Sequence, residues 1–215
     1  GLLDEGHGSG AIDEPEHREV AQEIATHGTV LLKNEDVLPL DDDASVALLG
    51  PNVDEAILGG GGSSETTPFE KTSPVEGIEA RAHGDVTVAH GIPRVESVSM
   101  FDGLMEGGEV SDDDEGEPKP DIDDAVAAAE AADVAVVFVR DAATEAADRD
   151  SIALPGEQDE LVDAVAAAND DTVVVTNTSG PVELPWADDV AAVVSQWYPG
   201  QSHGDAIARV LYGAA

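Results

Sequence analysis

Glu145, Asp148 and Arg149 lie together in a polar segment, residues 140–155, and side chains of these types could carry acid–base chemistry. A carboxylic acid can donate a proton to a leaving group and then accept one from water. Glu145 would suit this role if another body covered the segment, because loss of water raises the pKa of a carboxyl group. Without such a cover, Glu145 is one more solvated acid among the 47 of this chain. Arg149 either pins the segment by pairing with Asp148 or Asp150, or holds a substrate.

The elements on either side of this segment predict where it lies. Residues 134–139 are an unbroken apolar run rich in valine, which is typical of a strand buried on both faces of a parallel sheet. Residues 156–168 repeat apolar side chains at helical spacing. The connection between them exceeds the usual length of about two to six residues, and such connections are usually functional or disordered. Ligands of open α/β sheets bind beyond the carboxyl ends of the strands, so we expect Glu145 there.

The same alternation of strands and helices continues along the rest of the chain. Further strands are predicted at residues 46–49, 86–90, 172–177 and 191–195, and further helices at 15–32, 73–82, 121–131 and 204–212. Ser73 followed by Pro74 is typical of a helix start. The pattern predicts an α/β fold, with a mostly parallel sheet of five or six strands and helices on both faces, an α/β sandwich in a flavodoxin-like arrangement.

Two polar segments border or interrupt this fold. Residues 1–14 are glycine-rich and polar and are interpreted as a linker, and residues 15–215 as one domain. Within that domain, residues 91–120 show no clear periodicity and contain a run of four acids, so they are interpreted as an acidic surface excursion.

The charge of the chain excludes several classes of partner. Lys and Arg number 9 against 47 Asp and Glu, a formal charge of −38. Such a charge argues against nucleic acid and anionic membranes as partners. It is typical of the acidic surface of proteins from concentrated salt, where the Debye length falls to about 3 Å at 1 M and self-repulsion is screened. We therefore expect a halophilic protein that is unstable at low salt, while the compartment is left open.

The glycine run at residues 59–64, GGGGSS, follows a predicted strand and admits two interpretations. Its backbone amides could cradle a phosphate, but the lysine of the phosphate-binding loop is absent. Alternatively, the run is a flexible loop or lets the backbone approach a sugar.

The six histidines fall at no metal-ligand spacing and there is no cysteine, so neither a metal nor a cofactor is predicted. Trp186, Trp197 and Tyr198 are expected to anchor the core.

Several stretches taken together resemble the second domain of glycoside hydrolase family three, the β-glucosidase and β-xylosidase group. The resemblance covers nearly the whole chain in order and spacing. It is carried by HREVAQEIATHGTVLLKN at 17–34, VALLGPN at 46–52, GGGGSS at 59–64, TSPVEGIEAR at 72–81, EAADRDSIALPGEQDELVDAV from 145, NTSGPVELPW from 177 and QWYPGQSHGDAIARVLYG from 196.

The resemblance implies a retaining glycosidase that uses two carboxyl groups. In the family, a (β/α)₈ barrel on the amino-terminal side supplies an aspartate nucleophile, and the α/β domain supplies the acid/base glutamate. By the match to the family's Glu-Gly-x-Asp-Arg pattern, Glu145 is the acid/base, although Ala146 stands where the glycine is usual. A retaining mechanism needs the two carboxyls about 5–5.5 Å apart, so both domains must build the site.

The resemblance also implies roles for the residues around Glu145. By the family match Arg149 orders the loop. The wider set expected either to bind the substrate or to order the loop is Arg149, Asp148, Gly61, Gly62 and Ser63. Gly61 or Gly62 occupies the place where the family can carry a sugar-stacking aromatic. The substrate implied is a β-linked glycoside or oligosaccharide. Because no barrel lies within residues 1–215, we expect the chain to be inactive alone and to need a barrel in cis or in trans.

Two other functions remain open from the residues themselves. The chain could be a carbohydrate-binding or assembly module without catalysis, in which case binding would not depend on Glu145. It could also be a flavodoxin-like nucleotide-binding domain, in which case nucleotides would stabilise it.

Overall fold

The computed structural model describes residue 10 and residues 14–96, 120–145 and 148–214. Most of the proposed linker, residues 1–14, and most of the proposed acidic excursion, residues 91–120, lie outside the described residues.

Helices and strands alternate along the described residues much as the sequence predicts. The helices are α1 (Pro15–Gly28), α2 (Pro74–Arg81), α3 (Ile122–Ala131), α4 (Gln158–Ala168) and α5 (His203–Leu211), and the strands are β1 (Val30–Asn34), β2 (Val46–Leu49), β3 (Val86–Ala89), β4 (Val134–Arg140), β5 (Thr172–Asn177) and β6 (Ala192–Ser195). None of these helices is long and apolar enough to cross a membrane.

The six strands form one sheet in the order β1-β6-β5-β4-β2-β3. All neighbours are parallel except the edge pair β1 and β6. Numbered among themselves in chain order, the five parallel strands stand in the order 2-1-3-4-5, which is the flavodoxin-like order. The predicted fold class is therefore confirmed. The chain reverses direction across the sheet between β2 and β4, and the carboxyl ends of these two strands flank the crevice that such a reversal creates.

The apolar run of β4 is explained by burial on both faces of the sheet. Val137 and Val139 pack into a cluster with α3 and α4, which includes Leu161. Val136 and Phe138 face the opposite cluster, built with residues of α2 and α5. Alternate residues of one strand therefore belong to two separate cores, and the strand shows no polar alternation.

The prediction of one helix over residues 15–32 is wrong at its carboxyl end. Helix α1 ends at Gly28, and Val30–Asn34 forms the edge strand β1, antiparallel to β6. The apolar residues of β1 continue the helical pattern in sequence, but Leu31 and Leu32 are 52% and 55% exposed. Only pairing with a strand more than 150 residues away defines β1, and a local pattern carries no sign of such a partner.

The predicted start of α2 is confirmed. The hydroxyl of Ser73 accepts a hydrogen bond from the backbone N–H of Glu76, and the Glu76 carboxylate accepts from the backbone N–H of Ser73. This reciprocal pair satisfies two amides that the first helical turn leaves open.

Candidate functional site

Loops that follow β2 and β4 meet at the crevice between these strands. Glu145, on the loop after β4, is exposed, and its Oε2 accepts a hydrogen bond of 2.5 Å from the backbone N–H of Ser63, on the loop after β2. Gly62 has φ +66°, and a Cβ added there would lie 2.6 Å from the Cβ of Glu145. Glycine at this position therefore allows the glutamate to lie directly against the glycine-rich loop.

Glu145 borders an open cavity of about 550 Å³. Its wall also includes Gly61, Ser63, Ser179 and Tyr198, so the loops after β2, β4, β5 and β6 all contribute. A neighbouring cavity of about 330 Å³ shares the glycine-rich loop and is lined by Glu55 and Arg140. The two cavities together offer hydroxyl, carboxylate and guanidinium groups, which suits a ligand rich in hydroxyl groups.

The hydrogen bonds from Ser63 hold the pKa of Glu145 below the ordinary value for a glutamate, because the side chain and the backbone N–H of Ser63 both favour the charged form. Glu145 is thus a carboxylate at neutral pH in this domain by itself. A general acid must instead be protonated near working pH, which requires loss of water or a nearby negative charge. Among the described residues, the surroundings of Glu145 therefore favour a base over an acid.

Arg149 pairs with Asp141, and not with the adjacent Asp148 or Asp150 that the sequence predicts as its partner. The Arg149 Nη1 lies 3.3 Å from Asp141 Oδ2, and Nη2 donates to the backbone carbonyl of Pro181 at 3.2 Å. Asp148 is exposed. Arg149 therefore ties the loop that carries Glu145 to the turn after β5.

The aromatic residues near the site behave differently from one another. Trp186 is completely buried, and its indole N–H donates to Asp159 Oδ1 at 2.8 Å, so it is a core anchor as predicted. The same prediction is wrong for Trp197, which is 43% exposed and has φ +56°. The prediction is also wrong for Tyr198, which is half-buried and lines the cavity beside Glu145. The signal that could have located Tyr198 is its position directly after a parallel strand, where site residues collect.

No group of three or more His, Asp or Glu side chains within the described residues could hold a metal ion.

Comparison with known proteins identifies the family. Residues 29–215 match the family described as "Glycosyl hydrolase family 3 C-terminal domain". The chain is 36% identical over 205 residues to the thermostable beta-glucosidase B of Acetivibrio thermocellus, covering 94% of this chain and 25% of the relative. It is 32% identical over 224 residues to a beta-glucosidase of Bacteroides ovatus, covering 95% of this chain and 28% of the relative.

The fold agrees with solved structures as well. The crystal structure of a Bifidobacterium adolescentis GH3 beta-glucosidase superposes with a TM-score of 0.75 at 31% identity, over 95% of this chain and 28% of that one. The chain therefore spans about a quarter of the length of the relatives that it matches. The strand order, the crevice between β2 and β4 and these matches together show that the chain belongs to the glycosyl hydrolase family 3 C-terminal domains.

Proposed function

We propose that this chain is the acid/base half of a retaining β-glycosidase that hydrolyses β-glucosides, with Glu145 as the acid/base. The observation that carries the proposal is the position of Glu145. It is an exposed carboxylate in the middle of the loop after β4, at the crevice between β2 and β4, beside an open cavity. The relatives named above are beta-glucosidases, which supports the reaction class.

In this proposal Glu145 acts twice. It first donates a proton to the glycosidic oxygen as the bond to the leaving group breaks, while a carboxylate on a second body attacks the sugar carbon from the other side. The resulting glycosyl ester is then hydrolysed by water, whose proton Glu145 accepts. The second body would be an aspartate-bearing (β/α)₈ barrel, present in cis or in trans.

The barrel would also raise the pKa of Glu145, which is too low for a proton donor in the domain by itself. When it excludes water from Glu145 and places a second carboxylate about 5–5.5 Å away, both effects raise the pKa and favour the proton-donating form. After the nucleophile is consumed in the ester, its negative charge is gone and the pKa of Glu145 falls again. The N–H of Ser63 then stabilises the carboxylate that acts as base. Gly61 leaves room for the substrate in the cavity beside Glu145, and Gly62 leaves room in the neighbouring cavity.

The decisive experiment joins the chain to a barrel domain of the family and replaces Glu145 with alanine. Glu145→Ala should hydrolyse activated aryl β-glucosides slowly, because the glycosyl ester forms but lacks a base for water attack. Added azide needs no base, so it should restore turnover and yield the β-glucosyl azide, the product of net retention. The control is Glu79→Gln, an exposed acid on α2, which should leave turnover unchanged.

Two results would contradict the proposal. One is full turnover of aryl β-glucosides by Glu145→Ala in the joined enzyme. The other is turnover by the purified chain without any barrel, because this chain would then hold both carboxyl groups itself.

The nucleotide-binding alternative is disfavoured by the contact between Glu145 and the glycine-rich loop. The Ser63 amide, which a phosphate would use, already donates to a carboxylate. A second anion placed there would be repelled by Glu145.

A further inference from the structure

Asp141 is a buried acid at the start of the loop that carries Glu145. The residue is only 2% exposed. Its Oδ2 accepts hydrogen bonds from the backbone N–H of Ser179 at 2.9 Å, from the Ser179 hydroxyl at 2.7 Å, and from Arg149 Nη1 at 3.3 Å. A charge buried in this way is costly unless it is paired and hydrogen-bonded, so three donors converge on one oxygen. Its Oδ1 has no hydrogen-bond partner among the described residues.

The same carboxylate joins the two ends of the loop. Asp141 and Arg149 stand four residues before and four residues after Glu145, and their contact closes the base of the loop. Arg149 also donates to the carbonyl of Pro181, and Ser179 lies in the same turn after β5. The buried end of β5 therefore serves as the fixed support of a loop whose middle is exposed.

The network continues to the other loops of the crevice. Ser179 and Tyr198, which lies on the loop after β6, line the same cavity beside Glu145. The Tyr198 hydroxyl in turn lies 3.1 Å from where a Cβ at Gly60 would stand, so the tyrosine packs closely on the glycine-rich loop. On the far side of the loop, Glu145 contacts Ser63.

We propose that Asp141 is a positioning residue that holds the loop at both ends so that Glu145 faces the glycine-rich loop and the cavity. This inference rests on the proposed role of Glu145 as the acid/base. Asp141 itself contacts no substrate, because its side chain is only 1% exposed. It acts through Arg149 and Ser179.

The alternative is that Asp141 only stabilises the fold. A measurement of the pKa of Glu145 in an Asp141 variant distinguishes positioning from stabilisation. If Asp141 positions the loop, its replacement releases Glu145 from Ser63, and the pKa of Glu145 rises to the ordinary glutamate value. Removal of a nearby negative charge would by itself lower that pKa, so an upward shift reports lost positioning. A residue that only stabilises the fold would lower the melting temperature and leave the pKa of Glu145 unchanged.

The test is an NMR titration of the Glu145 carboxyl carbon in the isolated chain at high salt, with the exchange rate of the Ser63 amide as second readout. Asp141→Asn keeps the shape and removes the charge. We expect the pKa of Glu145 to rise and the Ser63 amide to exchange faster. Val165→Ala, in the buried face of α4, destabilises the core as a matched control and should change neither readout.

Asp141→Asn with an unchanged Glu145 pKa and an unchanged Ser63 amide overturns the proposal. Should Asp141→Asn fail to fold, Ser179→Ala removes the hydroxyl donor at 2.7 Å and keeps the charge. A smaller upward shift of the Glu145 pKa is then expected. An unchanged Glu145 pKa in Ser179→Ala also overturns the proposal.

A kinetic measurement in the joined enzyme extends the test. Asp141→Asn should lower kcat by about 10- to 100-fold for a glucoside with a poor leaving group, with little change in KM, because a misplaced proton donor affects the reaction more than binding. With an activated leaving group the loss should be smaller. The titration needs no catalysis, so it can succeed or fail independently of the proposed function.

Discussion

Two serine–carboxylate pairs join the same two strands at opposite ends of the sheet. Before β2 and β4, Ser45 donates its backbone N–H and its hydroxyl to Asp133 Oδ2 at 2.8 Å and 2.7 Å. After these strands, Ser63 donates to Glu145. Both carboxyl groups are solvated, and in both the serine lowers the pKa. The local chemistry of the two pairs is nearly the same.

What differs is the distance of each pair from its strands. Ser45 and Asp133 directly precede Val46 and Val134, which are partners in the sheet, so this pair fastens two strand ends together. Asp133 also donates its own N–H to the Ser45 hydroxyl at 2.9 Å, which makes the contact reciprocal. Glu145 and Ser63 lie on long loops that enclose a cavity. The same serine–carboxylate contact therefore fastens two strands when it lies at their ends. It becomes a candidate for catalysis when long loops place it beside a cavity.

The largest expected effect separates the two pairs by function. In the enzyme joined to a barrel, Glu145→Gln should lower turnover of a glucoside with a poor leaving group by about 10²- to 10⁴-fold, the usual contribution of a general acid or base. Asp133→Asn should leave turnover unchanged and lower the melting temperature. Assays on a panel of aryl glucosides and thermal melts of both variants would measure this. Equal losses of turnover in the two variants would show that the two ends of the sheet do not differ in function.

The next largest effect is expected from substitutions of two glycines, one at each end of the sheet. An alanine Cβ at Gly62 would meet Glu145, whereas one at Gly84 would lie 2.2 Å from the carbonyl oxygen of Ala44. Gly84→Ala should therefore cost about 1–3 kcal/mol of unfolding free energy through crowding.

Gly62→Ala should displace Glu145 and lower turnover by up to about 100-fold, with a stability loss of only about 1–2 kcal/mol from its positive φ. Urea unfolding and kinetics on the same samples would check both variants. The comparison fails if Gly84→Ala impairs turnover of the folded enzyme as much as Gly62→Ala does.

Salt should affect exposed and buried charges differently. With a formal charge of −38, the chain should show a higher urea midpoint as KCl is raised to about 2 M, because screening removes repulsion between exposed acids. The cost of Arg94→Gln, which breaks an ion pair with the exposed Asp54, should shrink in the same series. The cost of Arg149→Gln should persist, because its partner Asp141 is buried. A midpoint that does not rise with KCl would contradict the halophilic prediction.

The smallest expected effect is on the pH dependence of stability. The hydroxyl and backbone N–H of Ser45 lower the pKa of Asp133 from its ordinary value of 3.8. A lowered pKa contributes stability that is complete above the unfolded value and is lost as pH falls through the folded value. Asp133→Asn should therefore flatten the loss of stability below about pH 4. Urea midpoints between pH 2 and pH 6 would show this, and an unchanged acid slope would refute it.

The sequence predicted the parts of this molecule that depend on neighbouring residues. The burial of β4, the cap of α2 and the loop position of Glu145 all follow from short local patterns. The pairings between distant segments could not be derived in this way. Strand β1 exists through its partner β6, and Glu145 meets Ser63 across 82 residues of sequence. The Asp141–Arg149 pair was within reach, but acids are so frequent in this chain that no pattern singled out one of them.

The contrast between the two tryptophans gives the chain an optical reporter of assembly. These are its only two tryptophans, and Trp186 is already shielded from water while Trp197 stands partly in solvent just after β6. A body that settles over the carboxyl edge of the sheet would change the surroundings of Trp197 and leave those of Trp186 alone. When the chain is mixed with a barrel domain, a blue shift of indole emission would report docking in real time, without any label or substrate. The shift should be absent in Trp197→Phe.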